Sequence, residues 1–130
     1  MIKRLRGKVV AVMLKGKRIL LARERKRKYF TLPGGGIDEG ETAESALKRE
    51  VKEETNCEIK NHRFLCAYLS RHRSPVTHGV FIFIVDFKRK PKAGAEMVEV
   101  DFFTYNEAIK TGVSPSARFV LEELRKRKLL

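Results

Sequence analysis

The chain has 130 residues, of which 42% are hydrophobic, and we expect one globular domain over residues 1–130. Its longest apolar run, Val80–Val85, is too short to cross a bilayer, and the N-terminal segment MIKRLRGK has no secretory signal pattern, so we expect a cytoplasmic protein without a membrane partner. Its 29 Lys and Arg against 16 Asp and Glu give a formal net charge of +13, which favours phosphate-rich ligands or nucleic acids, although heat-adapted proteins also have charge-dense surfaces.

The first part of the chain predicts a β-hairpin. Residues Lys8–Leu14 and Arg18–Ala22 are rich in aliphatic and β-branched side chains, as strands are. The three residues between them have a turn composition, Lys15-Gly16-Lys17. Two strands therefore begin the fold.

A basic run and a glycine-rich segment follow the hairpin. The run Arg23–Lys28 has the composition of a solvated loop, but it ends just before Pro33 and the three glycines Gly34–Gly36. Glycines let the backbone approach a ligand or ion closely, and no Gly-Lys-Ser/Thr follows, which excludes an ATP-binding P-loop. Because the run lies beside this segment, we expect Arg23 and Arg25 to contact substrate phosphates.

A strongly acidic helix is predicted from about Thr42 to Thr55. Apolar residues recur in it at three- and four-residue spacing and form one stripe that can face a core: Ala43, Ala46, Leu47 and Val51. On a neighbouring face, Glu50, Glu53 and Glu54 fall within an arc of about 100°. Two such charges about 6 Å apart repel by roughly 3 kcal/mol at an effective dielectric constant of about 20. Either water or a cation must offset this repulsion.

Two interpretations of the glutamate face follow. Mg²⁺ takes oxygen ligands, commonly one or two carboxylates together with substrate phosphates, so the face can be a metal site. Alternatively, it is a solvated face whose charges are paired at helical spacing with Lys48, Arg49 and Lys52. The three glutamates alone do not decide between these interpretations.

The second half of the chain alternates between strands and breaks and ends in a helix. We expect a strand over Glu58–Arg71 that ends at Arg71–Pro75, and a central strand buried on both faces over Thr77–Phe87. A basic turn over Lys88–Gly94, a strand over Val98–Tyr105 and a helix over Ser116–Lys126 follow. The predicted fold class is α/β, with a sheet between helices.

The cysteines and histidines do not indicate a metal centre or a disulfide. Cys57 and Cys66 are the only two cysteines, and we expect both to be reduced thiols. The three histidines, His62, His72 and His78, lack the spacing of a zinc site.

The spacing of the glycine, glutamates and arginine resembles the signature of the Nudix hydrolases. The matching positions run from Gly35 to Cys57: Gly35, Glu41, Arg49-Glu50-Val51, Glu53-Glu54, Asn56 and Cys57. Asn56 stands where that signature has a glycine, and Cys57 stands where it usually has an aliphatic residue. Both replacements are mild, because Asn tolerates the left-handed conformation that ends a helix and Cys behaves as a small hydrophobe.

The resemblance implies an α-β-α sandwich around a mixed β-sheet and a metal-dependent hydrolase. Such enzymes cleave a nucleoside diphosphate linked to another group, using Mg²⁺ or Mn²⁺ and a water that attacks phosphorus. By this resemblance Glu50, Glu53 and Glu54 are metal ligands, Glu50 and Glu53 are catalytic, and Glu50 is the candidate general base. The backbone carbonyl of Gly34 or Gly35 is a further expected ligand, with Gly34 taken as the candidate, and a brace is expected between Glu41 and Arg49.

Other assignments stay open at this stage. A further acidic ligand is expected from Glu96 or Glu99, with Glu99 taken as the candidate, and Phe30 either packs or stacks on a substrate base. Oxidised nucleoside triphosphates, dinucleoside polyphosphates, ADP-ribose and RNA 5′ ends remain candidate substrates, and the protein is a monomer or a homodimer. A second interpretation is a catalytically idle Nudix-fold module that binds RNA through its basic loops.

Overall fold

The computed structural model describes residues 5–71, 77–94 and 96–130. His72 and most of the break predicted at residues 71–75 lie outside the described residues. The elements in chain order are β1 (Leu5–Val12), β2 (Leu14–Lys15), β3 (Arg18–Glu24), β4 (Gly34–Gly36), α1 (Ala43–Thr55), β5 (Glu58–Arg71), β6 (Thr77–Lys88), β7 (Met97–Phe103), α2 (Tyr105–Thr111) and α3 (Pro115–Lys126).

The strands form two sheets. A four-stranded mixed sheet has the order β4-β1-β6-β5, in which β1 and β6 are parallel and the other pairs are antiparallel. A three-stranded antiparallel sheet has the order β2-β3-β7. The predicted α/β class is confirmed, and its strands are divided between these two sheets.

Helices cover both faces of the sheets because the side chains of β1 alternate between two apolar clusters. Val9 and Ala11 pack with α1, as does Met13 just after the strand, whereas Val12 packs with α3. In α1 the apolar stripe predicted from the sequence supplies the buried Ala46, Leu47 and Val51. In α3 the corresponding stripe is Ala117, Val120, Leu121 and Leu124. The sheets therefore lie between α1 and α3.

The predicted N-terminal hairpin is correct in its turn and wrong in its first strand. Leu14 and Lys15 pair with Ile19 and Arg18, but β1 has already ended at Val12. The long part of β1 pairs instead with β4 and β6 in the other sheet. Since Met13 is completely buried at the break, the chain changes sheets there without exposing apolar surface.

Two further predictions need correction. The glycine segment is a short strand rather than a turn, since Gly34, Gly35 and Gly36 pair with Val10, Val9 and Lys8. β6 is central between β1 and β5 as predicted, but it is not buried on both faces, because Phe81 is 37% exposed. Helix α2 was not predicted. It is a seven-residue helix that begins with a capping box between Thr104 and Glu107.

The predicted ends of α1 and α3 are close to those observed. Thr42 caps α1 through a hydrogen bond from the Ser45 amide, and Ser114 caps α3 through one from the Ala117 amide. Asn56 ends α1 in the left-handed conformation, at φ 62°, as expected for an asparagine in place of glycine. Cys57 and Cys66 are free thiols, as predicted. Within the described residues, no helix is long and apolar enough to cross a membrane.

We predict that the β1–β4 pairing requires glycine at position 34 but not at position 36. A Cβ atom at Gly34 would lie 2.1 Å from the Val9 carbonyl oxygen, whereas one at Gly36 would meet nothing within 4 Å. Gly34→Ala should therefore lower the free energy of unfolding by about 1 to 3 kcal/mol, and Gly36→Ala should change it by less than about 0.5 kcal/mol, both measured by urea denaturation. Equal stabilities of the two variants would contradict this account.

Candidate active site

The candidate site forms where α1 packs against the glycine strand β4. At Gly35 a Cβ atom would lie 2.5 Å from Glu50 Oε1, so the missing side chain leaves the space that the Glu50 carboxylate occupies. One residue earlier, the Gly34 amide donates a hydrogen bond of 2.7 Å to Glu54 Oε1. Two glutamates of the predicted face therefore lie directly against the strand.

Arg49 links this contact to the preceding loop. Its guanidinium donates two hydrogen bonds to Glu41, Nε to Oε2 at 2.8 Å and Nη2 to Oε1 at 2.9 Å. It also donates to Glu50 Oε1 at 2.9 Å and to the Gly36 carbonyl at 3.0 Å. The Glu41 carboxylate accepts a further bond from the Asp38 amide. The structure thus places Glu41 and Arg49 in direct contact with each other.

This network shifts the titration of its members. The hydrogen bonds from Arg49 and then from the Asp38 amide lower the pKa of Glu41 to about 2. The bonds to Glu41 and Glu50 raise the pKa of Arg49. Glu41 and Arg49 therefore stay charged throughout the physiological pH range.

The three glutamates differ in exposure and in charge environment. Glu54 is 9% exposed, and its pKa rises to about 8 chiefly because burial disfavours the charged form. The Gly34 amide opposes this rise, whereas the charges of Glu50, Glu24 and Glu53 add to it. Burial also raises the pKa of Glu50, against the effect of Arg49. The Glu53 side chain is 48% exposed, and its Oε2 lies 3.5 Å from Arg49 Nη1.

The donor set suits a hard divalent cation. Glu50, Glu53 and Glu54 offer only oxygen ligands, which Mg²⁺ and Mn²⁺ prefer. Over residues 5–71, 77–94 and 96–130, no three Asp, Glu, His or Cys side chains are arranged to hold an ion. The glutamates are thus brought together without forming a closed cage.

A loop after β6 fixes the end of α1 that bears these glutamates. The Lys92 amide donates to the Thr55 carbonyl at 2.9 Å, and the Gly94 amide donates to the Glu54 carbonyl at 3.1 Å. The Asn56 side chain donates to the Lys92 carbonyl at 3.2 Å. A Cβ atom at Gly94 would lie 2.3 Å from the Glu53 carbonyl oxygen, so a glycine is required for this approach. Asn56 therefore both ends the helix and fastens the loop.

Arg23 and Glu99, which the sequence analysis assigned to substrate and metal, pair with each other. They are opposite residues on β3 and β7, and Arg23 Nε donates to Glu99 Oε1 at 3.0 Å. The second predicted substrate residue, Arg25, is exposed, and its amide donates to the Glu96 carbonyl at 3.0 Å. The Glu99 carboxylate thus already has a cation partner.

Phe30 does not line the candidate site. It is 6% exposed, belongs to the apolar cluster under α3, and its ring lies 4.9 Å from that of Phe103 in an edge-to-face contact. Of the two roles considered from the sequence, packing in the core accounts for this position. The assignment of Phe30 as a residue that stacks on a substrate base is therefore wrong.

Glu24 is a neighbour of the site that the sequence analysis missed. It ends β3, and its charge contributes to the raised pKa of Glu54 although 30 positions separate the two residues. Glu24 lies within the basic run Arg23–Lys28, and only the positively charged residues of that run were considered as site residues. The sequence feature that could have indicated Glu24 is a single acidic residue at the end of a predicted strand, shortly before the glycine segment.

Comparisons with known proteins place the whole domain in one family. A family model described as NUDIX domain matches residues 4–123. An ADP-ribose pyrophosphatase from Methanocaldococcus jannaschii is 36% identical over 107 residues, covering 78% of this chain and 63% of that protein. The NAD-capped RNA hydrolase NudC from Pectobacterium atrosepticum is 30% identical over 107 residues, covering 76% of this chain and 38% of that protein. The match therefore spans less than two thirds of both curated relatives.

A solved structure confirms the predicted sandwich. The crystal structure of the MutT NUDIX hydrolase from Burkholderia pseudomallei superimposes with a TM-score of 0.83 at 20% sequence identity. The superposition covers 93% of this chain and 98% of that one. At this identity the likeness establishes the fold.

We predict that Glu54 makes the stability of the metal-free protein fall as pH rises. The pKa of Glu54 is about 8 in the folded protein, whereas an unperturbed glutamate, as in the unfolded chain, has a pKa of 4.5. Between pH 4.5 and pH 8 the folded chain therefore keeps a proton that the unfolded chain has released. Over this range the group should lower the free energy of unfolding by up to about 1.4 kcal/mol per pH unit. Urea denaturation in EDTA at pH 5 to 8 should therefore give a shallower decline for Glu54→Gln.

The matched control for this measurement is Glu44→Gln, an exposed glutamate on the same helix that pairs with Lys48. This variant should keep the decline of the wild-type protein. An identical pH profile for Glu54→Gln and wild type would show that Glu54 is not the titrating group.

Proposed function

This chain belongs to the Nudix family, and from that premise we propose that it is a metal-dependent pyrophosphohydrolase. The proposed reaction cleaves a nucleoside diphosphate linked to another group by attack of water on phosphorus. The observation that carries the proposal is the contact of Glu50 and Glu54 with the glycine strand, which gathers carboxylates in a largely buried position. Nudix hydrolases generally use divalent metal ions, and here we propose Mg²⁺ or Mn²⁺.

Glu50, Glu53 and Glu54 are the proposed metal ligands. Burial, and then the charges of Glu50 and Glu53, raise the pKa of Glu54, so a cation placed among these carboxylates would stabilise their charged forms. The carbonyl of Gly34 is proposed as a backbone ligand, because the amide of the same residue already contacts Glu54. A bound divalent ion would supply neutralisation of the diphosphate charge and a lowered pKa for its water.

The residues of the chain have separate tasks in this proposal. Glu50 takes the proton of the attacking water at Oε2, since Oε1 accepts the hydrogen bond from Arg49. Its raised pKa makes this carboxylate a better proton acceptor than an exposed one. Arg49 holds Glu50 in orientation and ties it to Glu41 and Gly36. Glu53 is proposed as the second catalytic carboxylate, at the more exposed side of the cluster.

The basic loop after β3 is proposed to attract the anionic substrate. Glu24 is close enough to Glu54 to affect its pKa, so the loop that follows Glu24 begins beside the glutamates. Arg25, Lys26 and Lys28 in this loop are exposed. Their charges, within a chain of net charge +13, favour encounter with a diphosphate. Arg25 is therefore the proposed phosphate contact, while Arg23 is engaged by Glu99.

The substrate class that we propose is a pyrophosphate joining a nucleoside to a second group. ADP-ribose and NAD, which appear in the names of the two curated relatives, both contain this linkage. Dinucleoside polyphosphates and nucleoside triphosphates contain a phosphoanhydride of the same kind. All four classes, together with RNA bearing a 5′ pyrophosphate linkage, belong in an activity panel.

We predict that Glu53→Gln lowers turnover by orders of magnitude while preserving the fold. The amide keeps the size of the side chain but removes the anionic ligand, so kcat on the panel compound cleaved best should fall by about 100-fold or more with Mg²⁺ or Mn²⁺. Glu44→Gln, on the same helix but paired with Lys48, should retain activity within about twofold. Released mononucleotide measures turnover, and circular dichroism with urea denaturation verifies the fold.

Wild-type activity in Glu53→Gln would refute the assignment of that residue. If no compound in the panel is cleaved while single-stranded RNA binds with steep salt dependence, the protein is an idle Nudix-fold module, because phosphate contacts weaken strongly as salt rises.

A further inference from the structure

A cleft of about 1000 Å³ opens between the two sheets, apart from the glutamate cluster. The hairpin β2–β3 and strand β7 line one side, and the start of β5, the end of β6 and the following loop line the other. Glu50, Glu53 and Glu54 are not among the described residues that line it. The proposed hydrolytic function therefore does not account for this cleft.

The floor and walls of the cleft are apolar and aromatic. Leu20 and Val85, both buried, lie at its base. The rings of Phe87 and Phe102 face each other across the two sheets with centroids 6.3 Å apart and planes inclined by 22°. Both phenylalanines are only partly buried. The cleft thus offers aromatic surface on which a flat ring can stack.

The rim of the cleft has a surplus of positive charge. Four cations line it, Lys15, Lys60, Arg89 and Lys90, against the two carboxylates Asp86 and Asp101. Arg89 pairs with Glu58 at 3.6 Å. In the part of the chain that the structure describes, no carboxylate lies within ion-pair distance of Lys15, Lys60 or Lys90. Lys15 instead lies 5.8 Å from the centroid of the Phe102 ring. These cations therefore remain available to an anion.

We propose that this cleft is a second ligand site and that its ligand is a nucleotide. The base would pack against the exposed part of the stacked Phe87–Phe102 pair, and the phosphate would contact Lys60 and Lys90 on the rim. Asp86 and Asp101 supply acceptors for amino or ribose hydroxyl groups, which explains carboxylates in a basic rim. Inorganic phosphate would use the cations but leave the aromatic walls without a partner. A nucleotide matches all three kinds of surface.

The cleft also adjoins the segment that holds the end of α1. Arg89 and Lys90 of the rim are followed by Lys92 and Gly94, whose amides donate to the Thr55 and Glu54 carbonyls. The two sites are therefore neighbours along one loop, although their lining residues differ. The second site does not depend on hydrolytic activity, and its test can be made with the metal removed.

The same chemistry is found in a free nucleotide and in a nucleotide of a single-stranded RNA. We therefore propose titrating the ¹⁵N-labelled full chain in EDTA with AMP and, separately, with a short single-stranded oligoadenylate RNA. Saturable shifts are expected in two-dimensional amide spectra at Lys15, Lys60, Phe87 and Phe102. Saturation by AMP identifies a free nucleotide as sufficient, whereas saturation by the RNA alone identifies a nucleotide within a strand.

A pair of double variants separates a local contact from the effect of net charge. Lys60→Ala with Lys90→Ala should weaken binding by about tenfold or more, because each lysine contacts the phosphate. Lys110→Ala with Lys126→Ala removes the same two charges from α2 and α3, and should change the affinity by less than about twofold.

Three results would overturn the proposal. The first is the absence of saturable shifts with both probes. The second is a set of shifts confined to Gly34–Gly36 and Glu50–Glu54, which would place the nucleotide in the glutamate site alone. The third is an equal loss of affinity in the two double variants, which would show that net charge and not the cleft governs binding.

Discussion

The close approach of α1 to a strand without side chains is the contact on which the rest of the structure depends. A side chain at Gly35 would occupy the position of the Glu50 carboxylate, and one at Gly34 would collide with β1. The apolar stripe of α1 fixes the helix on the sheet through Ala46, Leu47 and Val51. Core packing therefore brings acidic side chains to a position where burial raises the pKa of Glu54. The fold thus concentrates negative charge in a strongly basic chain.

Arg49 has a structural role that differs from the role proposed for a divalent ion. Its guanidinium is already engaged by Glu41, Glu50 and the Gly36 carbonyl, so it orients the cluster but does not fully offset its charge. A divalent ion with oxygen ligands would supply the remaining positive charge. We propose a different purpose for the basic surface, because exposed cations attract anionic ligands from a distance. In this account one interaction positions the carboxylates and another attracts their substrate.

Local sequence patterns predicted the helices and strands better than they predicted which elements pack or pair with each other. The α1 helix, its Asn56 cap and the α3 stripe follow from periodicity and capping, which depend on residues close in sequence. The transfer of β1 into the other sheet, the strand at Gly34–Gly36 and the pairing of Arg23 with Glu99 depend on contacts between distant segments. Helix α2 was not predicted because its seven residues are too few to show a clear helical periodicity of apolar residues. Glu24 was not predicted as a neighbour of the site because it comes close to Glu54 only in the folded structure.

The central claim is that the space left by Gly35 positions Glu50 for a divalent ion. The direct test is the affinity for Mn²⁺ of Gly35→Ala, measured by isothermal titration calorimetry beside Gly36→Ala and wild type. The three atoms nearest to a Cβ atom at position 35 all belong to the Glu50 carboxyl group and none to the backbone, so the fold should persist while the carboxylate is displaced. We expect Mn²⁺ affinity about tenfold weaker in Gly35→Ala and unchanged in Gly36→Ala. Mn²⁺ binding by folded Gly35→Ala as tight as that of wild type would contradict the account.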